Sequence, residues 1–416
     1  MKLQTELQTE LQTDIAIIGA GPQALTITTH LLQKGGRRSP QLVVLDPSGT
    51  WMQRWHQQFA AQDIAYLRSP VAHHPDPNPY ALRAFAESRH RELFPPYDRP
   101  SRQLFQDFCH ALIQRWNLQD RVMAAEVVQI EPIRQQRYRF RLWLKDGRGL
   151  LARRVVLAGG DGALNVPEWA RSLQETHQGA YPTDRLSHSD QVDLGQLQLQ
   201  GDRVLVIGGG LTSGHLALGA MHRGANVKLM ARRQFQVKLF DADPGWVGPK
   251  YLKGFNAEAS WQRRWQMIQD ARNGGSFTPD VMLKLRRAQR DKSIELIEQC
   301  QVVQVRWCSD CWQVDCTDGE HFECDRIWYA TGRKLDAAQC PLLKEIQAQY
   351  PAKLVHGLPI LDSHLRWPGC ELFVMGGLAA LQVGPVARNL RGATIASDRI
   401  VEALMKPTIA LSRAVA

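Results

Sequence analysis

Two glycine turns carry the residue types in this sequence that could do chemistry. The first, GAGPQA at Gly19–Ala24, follows the apolar run IAIIG and opens a helical stretch. Gly19 and Gly21 permit a tight turn and let the backbone approach a pyrophosphate. Pro22 and Gln23 begin the helix whose N-terminus faces that negative charge, and Ala24 keeps helix and strand close. Asp46, at the end of the next apolar strand, can accept hydrogen bonds from ribose hydroxyls. The second turn, GGGLTSG, repeats the arrangement with Gly208 and Gly210, then Leu211 and Thr212, and Ser213 where a third glycine or alanine is usual. No acid ends the strand that follows it. Arg232 and Arg233 stand there instead, and arginine pairs with the 2′-phosphate that an acid would repel. Two such turns in one chain suit a flavin, FAD, in one and a reduced nicotinamide, NADPH, in the other, so that hydride can pass between them.

Each turn needs a β-α-β unit to hold it. The pattern IAIIG, PQALTITTHLLQKG, QLVVLD supplies the first, and RVLVIG, LTSGHLALGAMHRG, NVKLMARR the second. Between about Gly49 and Asp120 lie aromatics, prolines and a helix expected over Arg102 to Trp116, which is an elaborated insertion. Alternation from Glu126 to Leu157, with a turn at Asp146-Gly147, predicts a small β-meander. The tryptophan- and arginine-rich stretch Phe240 to Ala288 predicts a helix around SWQRRWQMIQDAR, packed beside the nicotinamide site. Further strands, VVQVRW, WQVDC and HFECDRIWYATG, precede a last strand-to-helix passage from Glu371 that is expected to pack on the first half. The fold class is α/β, with two Rossmann-like dinucleotide-binding domains.

The totals narrow the function. A 416-residue chain with 44% hydrophobic residues suits a globular protein of two or three domains. Its net charge of +10 is spread without a basic block, which argues against nucleic acid and fits anionic dinucleotides. No apolar run approaches the roughly 18 residues of a membrane span, the first residues are too polar for a signal peptide, and most of the eight cysteines are scattered. A cytoplasmic protein with no membrane partner is expected. The triple LQTE, LQTE, LQTD reads as a loose leader.

GAGPQA, the GTW of Gly49 to Trp51, the HS of His188-Ser189, GGGLTSG and the ATG of Ala330 to Gly332 together resemble the flavin-dependent monooxygenase superfamily. Trp55-His56, Gln62 and AYLRSP give a looser similarity to its lysine/ornithine N-monooxygenase branch. The resemblance spans nearly the whole chain. It implies an FAD domain in two pieces, 14–195 and 326–416, with an NADPH domain, 196–325, inserted after a flexible leader, 1–13. It also implies oxygen insertion through a C4a-(hydro)peroxyflavin into a small nucleophilic substrate such as an amine, with molecular oxygen as the second partner. Flavin-site residues carried over are Gly19, Gly21, Asp46, Trp51, Trp55, His56 and Gln62. Gly159-Gly160 and Gly376-Gly377 resemble places where backbone nears FAD, Gly332 closes the ATG motif, and Gln382 and Val383 are candidates for backbone contact. A helix beginning near Gly384-Pro385 would aim its N-terminal dipole at the flavin. Arg68-Ser69-Pro70 stands where the branch has an aspartate, and Pro182 and Asp184 replace the first positions of a related oxygenase signature, so substrate identity does not carry over.

Two alternatives keep the same cofactors: an NADPH-dependent flavoprotein reductase or oxidase, and a non-catalytic flavin-binding protein. Cys308 and Cys311 form a CxxC, but far from either glycine turn, where a redox pair serving the flavin is not expected. The pair His73-His74 in HHPDPNP is expected to cap or pack its loop. No metal site and no acid/base pair are expected, and the catalytic residues and oligomeric state are not specified by the sequence.

Overall fold

The structure, a computed structural model, describes residues 10–36, 40–133, 137–159, 162–176, 181–272 and 274–406; statements of absence below refer to these. Along the chain the elements that matter for the site are β1 (Leu11–Ile18), α1 (Pro22–Gly35), β2 (Leu42–Asp46), α2 (Gln53–Ala61), α3 (Arg102–Arg115), β3 (Val122–Ala124), β4 (Val127–Pro132), β5 (Phe140–Leu144) and β6 (Gly149–Leu157). There follow β7 (Leu186–His188), β8 (Arg203–Ile207), α4 (Leu211–His222), β9 (Asn226–Ala231), α5 (Trp261–Arg272), α6 (Pro279–Arg290), β10 (Ile294–Glu298), β11 (Val302–Cys308), β12 (Cys311–Cys316), β13 (His321–Cys324), β14 (Arg326–Tyr329), β15 (Leu372–Val374) and α7 (Leu390–Met405).

The first sheet has the order β3-β2-β1-β6-β5-β4, with β15 also paired to β6. Its centre is parallel, Ile17 lying beside Val44 on one side and Val156 on the other. That explains why β1 and β6 read as continuous apolar runs: both faces are covered. The meander expected from Glu126 to Leu157 forms the antiparallel wing β4-β5-β6. The C-terminal passage returns to this sheet as expected, with Phe373 beside Val156 and α7 packed on α1. Glu371 fixes that return: it is buried and accepts from Arg154 at 3.2 Å and Arg366 at 3.0 Å, so its charge is compensated on both sides.

The second sheet is wholly parallel, in the order β7-β14-β8-β9-β10, and α4 and α6 pack on it. A separate antiparallel sheet, β11-β12-β13, stands beside it. Among the described residues no helix is long and apolar enough to cross a membrane.

Three expectations change. β1 begins at Leu11, because the long β6 offers partners for Leu11 and Thr13, so the last LQTD repeat is strand and not leader; residues 1–9 lie outside the described residues. HFECDRIWYATG is two strands in different sheets, broken at Asp325, whose carboxylate takes the Arg203 amide at 2.7 Å and its guanidinium at 2.8 Å. As a consequence β7 and β14, expected within the first domain, are hydrogen-bonded into the second sheet. Finally, no helix starts at Gly384-Pro385. Gly384 is the left-handed residue ending a short helix, φ 90°, and α7 begins only at Leu390.

Candidate active site

Each glycine turn opens on a cavity. The first, about 670 Å³, lies over Gly19, Gly21, Pro22, Gln23, Asp46 and Gly159. Gly19 has φ 98°, and a β-carbon there would stand 3.0 Å from the Cα of Gly159, so strand end and turn meet backbone to backbone. A β-carbon on Gly21 would meet nothing within 4 Å: the space in front of it is open. Gly21 caps α1 without any side-chain hydrogen bond, leaving the first amides of the helix to a ligand. Asp46 holds the turn by accepting from the Ala20 amide at 3.0 Å and from the Ser48 hydroxyl at 2.6 Å. Gln23 donates to the Ala387 carbonyl at 3.3 Å, while its buried Oε1 has no protein partner. The open cradle, the uncapped helix and the orphaned amide oxygen fit a dinucleotide such as FAD.

The other wall comes from one face of α2. Arg54, Trp55, Gln58 and Phe59 all line the cavity, spaced one helical turn apart, and Trp55 stacks on Phe59 with centroids 4.0 Å apart. His56 and Gln62 point elsewhere and do not line it. Burial holds the His56 imidazole below its ordinary pKa, and its Nε2 has no hydrogen-bond partner. Gln62 donates to the Ser189 carbonyl at 3.1 Å, tying the end of α2 to the residue after β7. Trp51 is likewise buried away from the cavity, its indole N–H donating to Leu118 O at 2.8 Å. None of the three lines the first cavity, and Gln62 Oε1, like His56 Nε2, is buried without a protein partner.

The second cavity, about 1140 Å³, lies over Gly208, Gly210, Thr212, Arg232, Arg233 and Gly332. Five arginines line it (Arg232, Arg233, Arg272, Arg333, Arg388) against one acid, Glu168, a field suited to a polyanion. Its charge and its glycine turn fit a phosphorylated nicotinamide dinucleotide. Leu211 does not line it. Ser213 is fully buried: its hydroxyl lies 2.8 Å and 2.7 Å from the carbonyl oxygens of Gly208 and Gly210 and accepts from the Gly210 amide at 3.2 Å. The serine is therefore a clasp on the turn, which its small size alone did not predict. Gly275 presses on the same turn, a β-carbon there standing 2.9 Å from Gly209 O, while Gly274 lies against the Arg233 guanidinium; no motif in the sequence marks either.

The ATG motif is fixed from behind. His188 Nδ1 accepts from the Asp190 amide at 3.1 Å, so Nε2 carries the proton and donates to Gly332 O at 3.0 Å. Burial lowers the pKa of this imidazole and keeps it neutral.

The cavities meet along the turn from Pro385 to Arg391. Pro385 and Ala387 line the second, Asn389, Leu390 and Arg391 the first, and Arg388 lines both. Helix α7 starts here with no side-chain cap, so a helix N-terminus does face the first cavity, six residues beyond the expected start at Gly384. Gly377 and Gln382 are off the site. A β-carbon on Gly377 would strike Leu335 at 2.6 Å, and Gln382 donates to Leu361 O at 2.6 Å; of the expected pair Gly376-Gly377 it is Gly376, φ 72°, that lines the first cavity.

Arg68, on the same wall, is spent on structure. Its guanidinium donates to the carbonyl oxygens of Leu239 (2.8 Å) and Lys238 (2.7 Å), to Ser276 Oγ (2.8 Å) and to Asp241 (2.5 Å). His73 also lines the first cavity; burial first, then Arg391 and His74, push its pKa down to about 4. His74 caps its loop as expected, accepting from the Asp76 amide at 3.2 Å. Cys308 and Cys311 face each other across a tight hairpin turn and line neither cavity.

Two dinucleotide units sharing one wall define an FAD/NAD(P)-binding α/β fold. Residues 16–162 match the family model described as FAD-NAD(P)-binding. No curated protein sequence matches the chain. Among solved structures it is similar to the ornithine hydroxylase PvdA of Pseudomonas aeruginosa (17% identity, 95% of this chain and 99% of that one, TM-score 0.74). It is equally similar to the FAD-bound cadaverine monooxygenase DfoA of Erwinia amylovora (15%, 98% and 98%, 0.76). The ornithine N-hydroxylase KtzI of Kutzneria sp. 744, whose structure carries reduced FAD, NADP+ and L-ornithine, compares at 17%, 94% and 99%, with a TM-score of 0.76. The fold is thus that of the group the motifs resemble, along nearly the whole chain.

Proposed function

We propose that the chain is an NADPH-dependent, FAD-containing monooxygenase that inserts oxygen into a small nucleophilic substrate, an amine in the reading best supported. The observation that carries this is the shared wall: Arg388 lines both cavities, so whatever fills the cationic one ends beside whatever fills the other. A flavin bound there supplies the redox and oxygen chemistry when reduced. The uncapped N-terminus of α1 and Gly21 would hold its pyrophosphate, and Asp46 would accept from its ribose. Arg232 and Arg233 would pair with the 2′-phosphate of NADPH. The stacked Trp55 and Phe59 keep water from the wall they form.

The amine reading draws on the fold neighbours, whose names record ornithine and cadaverine as what they act on. It is tested by incubating the flavin-loaded chain with NADPH, oxygen and a panel of aliphatic amines and amino acids, and assaying hydroxylamine and hydrogen peroxide. Hydroxylamine formed with one amine class is the expected result. Peroxide in proportion to NADPH, with no oxygenated product from any amine, would overturn it in favour of an oxidase. We place the protein in the cytoplasm, on its composition.

A further inference from the structure

Cys300 and Cys316 lie far apart in sequence from both glycine turns and take no part in the chemistry above. Both are buried free thiols, and with the exposed carboxylate of Asp318 they bring their donor atoms within 4.8 Å of one another. Three elements converge to do this. Cys300 follows β10 and is fixed by its amide, which donates to Ala231 O at 3.2 Å. Cys316 ends β12, and its amide donates to Glu320 O at 3.0 Å across the turn at Gly319, φ 86°. Asp318 sits in that turn with Oδ1 held by the Glu320 amide at 3.1 Å, and its carboxylate is hydrogen-bonded to the Cys300 thiol, whose proton an ion would displace. Thr317 and Gln301 lock the two segments together, amide to carbonyl at 2.9 Å and amide to hydroxyl at 3.1 Å.

We propose that Cys300, Cys316 and Asp318 form a binding site for a thiophilic divalent ion, zinc in the first instance, that clips the exit of β10 to the β12–β13 turn. Two sulfurs and one carboxylate oxygen select a borderline-soft ion over magnesium or calcium, which require all-oxygen shells. Zn–S bonds of about 2.3 Å place tetrahedral sulfurs about 3.8 Å apart, within reach of the observed cluster by small side-chain rotations. The balance is simple: the ion enters, both thiols leave their protons to water, the carboxylate brings its charge, and water completes the fourth position. Because Cys300 lines the second cavity and is bonded to the residue before Arg232, the ion would stiffen the segment that presents Arg232 and Arg233. The nearby CxxC is excluded as the centre: among the described residues Cys308 and Cys311 belong to no such group.

The test uses the full chain, reduced, stripped with chelator and titrated anaerobically with Co²⁺, whose thiolate complexes give a near-ultraviolet charge-transfer band. The band should saturate at about one ion per chain, since the cluster supplies one set of ligands, and Zn²⁺ should abolish it. It should vanish in Cys300→Ser/Cys316→Ser and persist in Cys308→Ser/Cys311→Ser. Asp318→Asn, at an exposed position that leaves folding intact, should weaken Co²⁺ binding by about tenfold or more, as loss of a ligand does. No band, a band that survives the first double variant, or unchanged Co²⁺ affinity in Asp318→Asn would each overturn the site, leaving an adventitious ion only.

Discussion

A β-carbon on Gly275 would lie 2.7 Å from the Cα of Gly210. The second glycine turn is thus clamped from outside by a loop more than sixty residues further along the chain, and neighbouring Gly274 makes the same allowance for the Arg233 guanidinium. Gly275→Ala should push the turn off its geometry at a cost of about 1–3 kcal/mol. NADPH affinity should fall by about tenfold or more while flavin content stays at the wild-type level. Flavin absorbance and an NADPH titration on the same sample check this; a parallel loss of flavin would mean that the clamp supports the whole fold.

Arg232 and Arg233 line the second cavity and are proposed to set the choice of nicotinamide. Removing both should weaken NADPH binding by about 2–4 kcal/mol, two charge-assisted contacts, and leave NADH nearly unaffected. Rates of flavin reduction by the two nucleotides, in wild type and in Arg232→Ala/Arg233→Ala, measure it. Equal preference in both proteins would remove the arginines from the site.

Ser213 separates size from hydrogen bonding. Ser213→Ala keeps the close helix approach but takes away the hydroxyl shared by Gly208 and Gly210, and should cost about 1–2 kcal/mol at the turn. NADPH affinity in Ser213→Ala reads that loss. Identical affinity to wild type would make the serine a spacer.

Acid should destabilise the fold before it titrates the carboxylates. His73 and His215 both have pKa pushed down to about 4, in each case chiefly by burial. The unfolded imidazole, near 6.5, binds its proton more tightly than the folded one, so this stability is complete above about pH 6.5 and is lost as pH falls toward 4. At pH 5 each group costs at most about 2 kcal/mol. Denaturant midpoints at pH 7 and pH 5, compared between wild type and His73→Gln, should differ less in the variant. An unchanged difference would place the acid sensitivity elsewhere.

What the sequence made legible was local. Gly19, Asp46, Gly208 and Arg232 sit inside single β-α-β units, where spacing dictates geometry, and all of them line the cavities. Trp51, Gln62 and Gln382 lie off the two cavities, their N–H donors drawn to carbonyls distant in sequence, on Leu118, Ser189 and Leu361, a fact no short motif records; Gln62 Oε1 is left buried without a protein partner. His56 lies off the cavity because of the face it occupies: Arg54, Trp55, Gln58 and Phe59 share the cavity face of α2, at one-turn spacing. Arg388 and Gly275 gave no signal, since each matters only where two distant segments meet.

Flavin bleaching by NADPH probes the wall that the two cavities share. The flavin-loaded chain is mixed with NADPH without oxygen while its visible absorbance is followed, and then with air. Hydride transfer across the turn Pro385 to Arg391 should bleach the flavin fully, at least about tenfold faster with NADPH than with NADH, given the arginine pair at the second cavity, and air should restore the colour. Flavin that stays oxidised in saturating NADPH would mean that the two cavities do not serve one reaction.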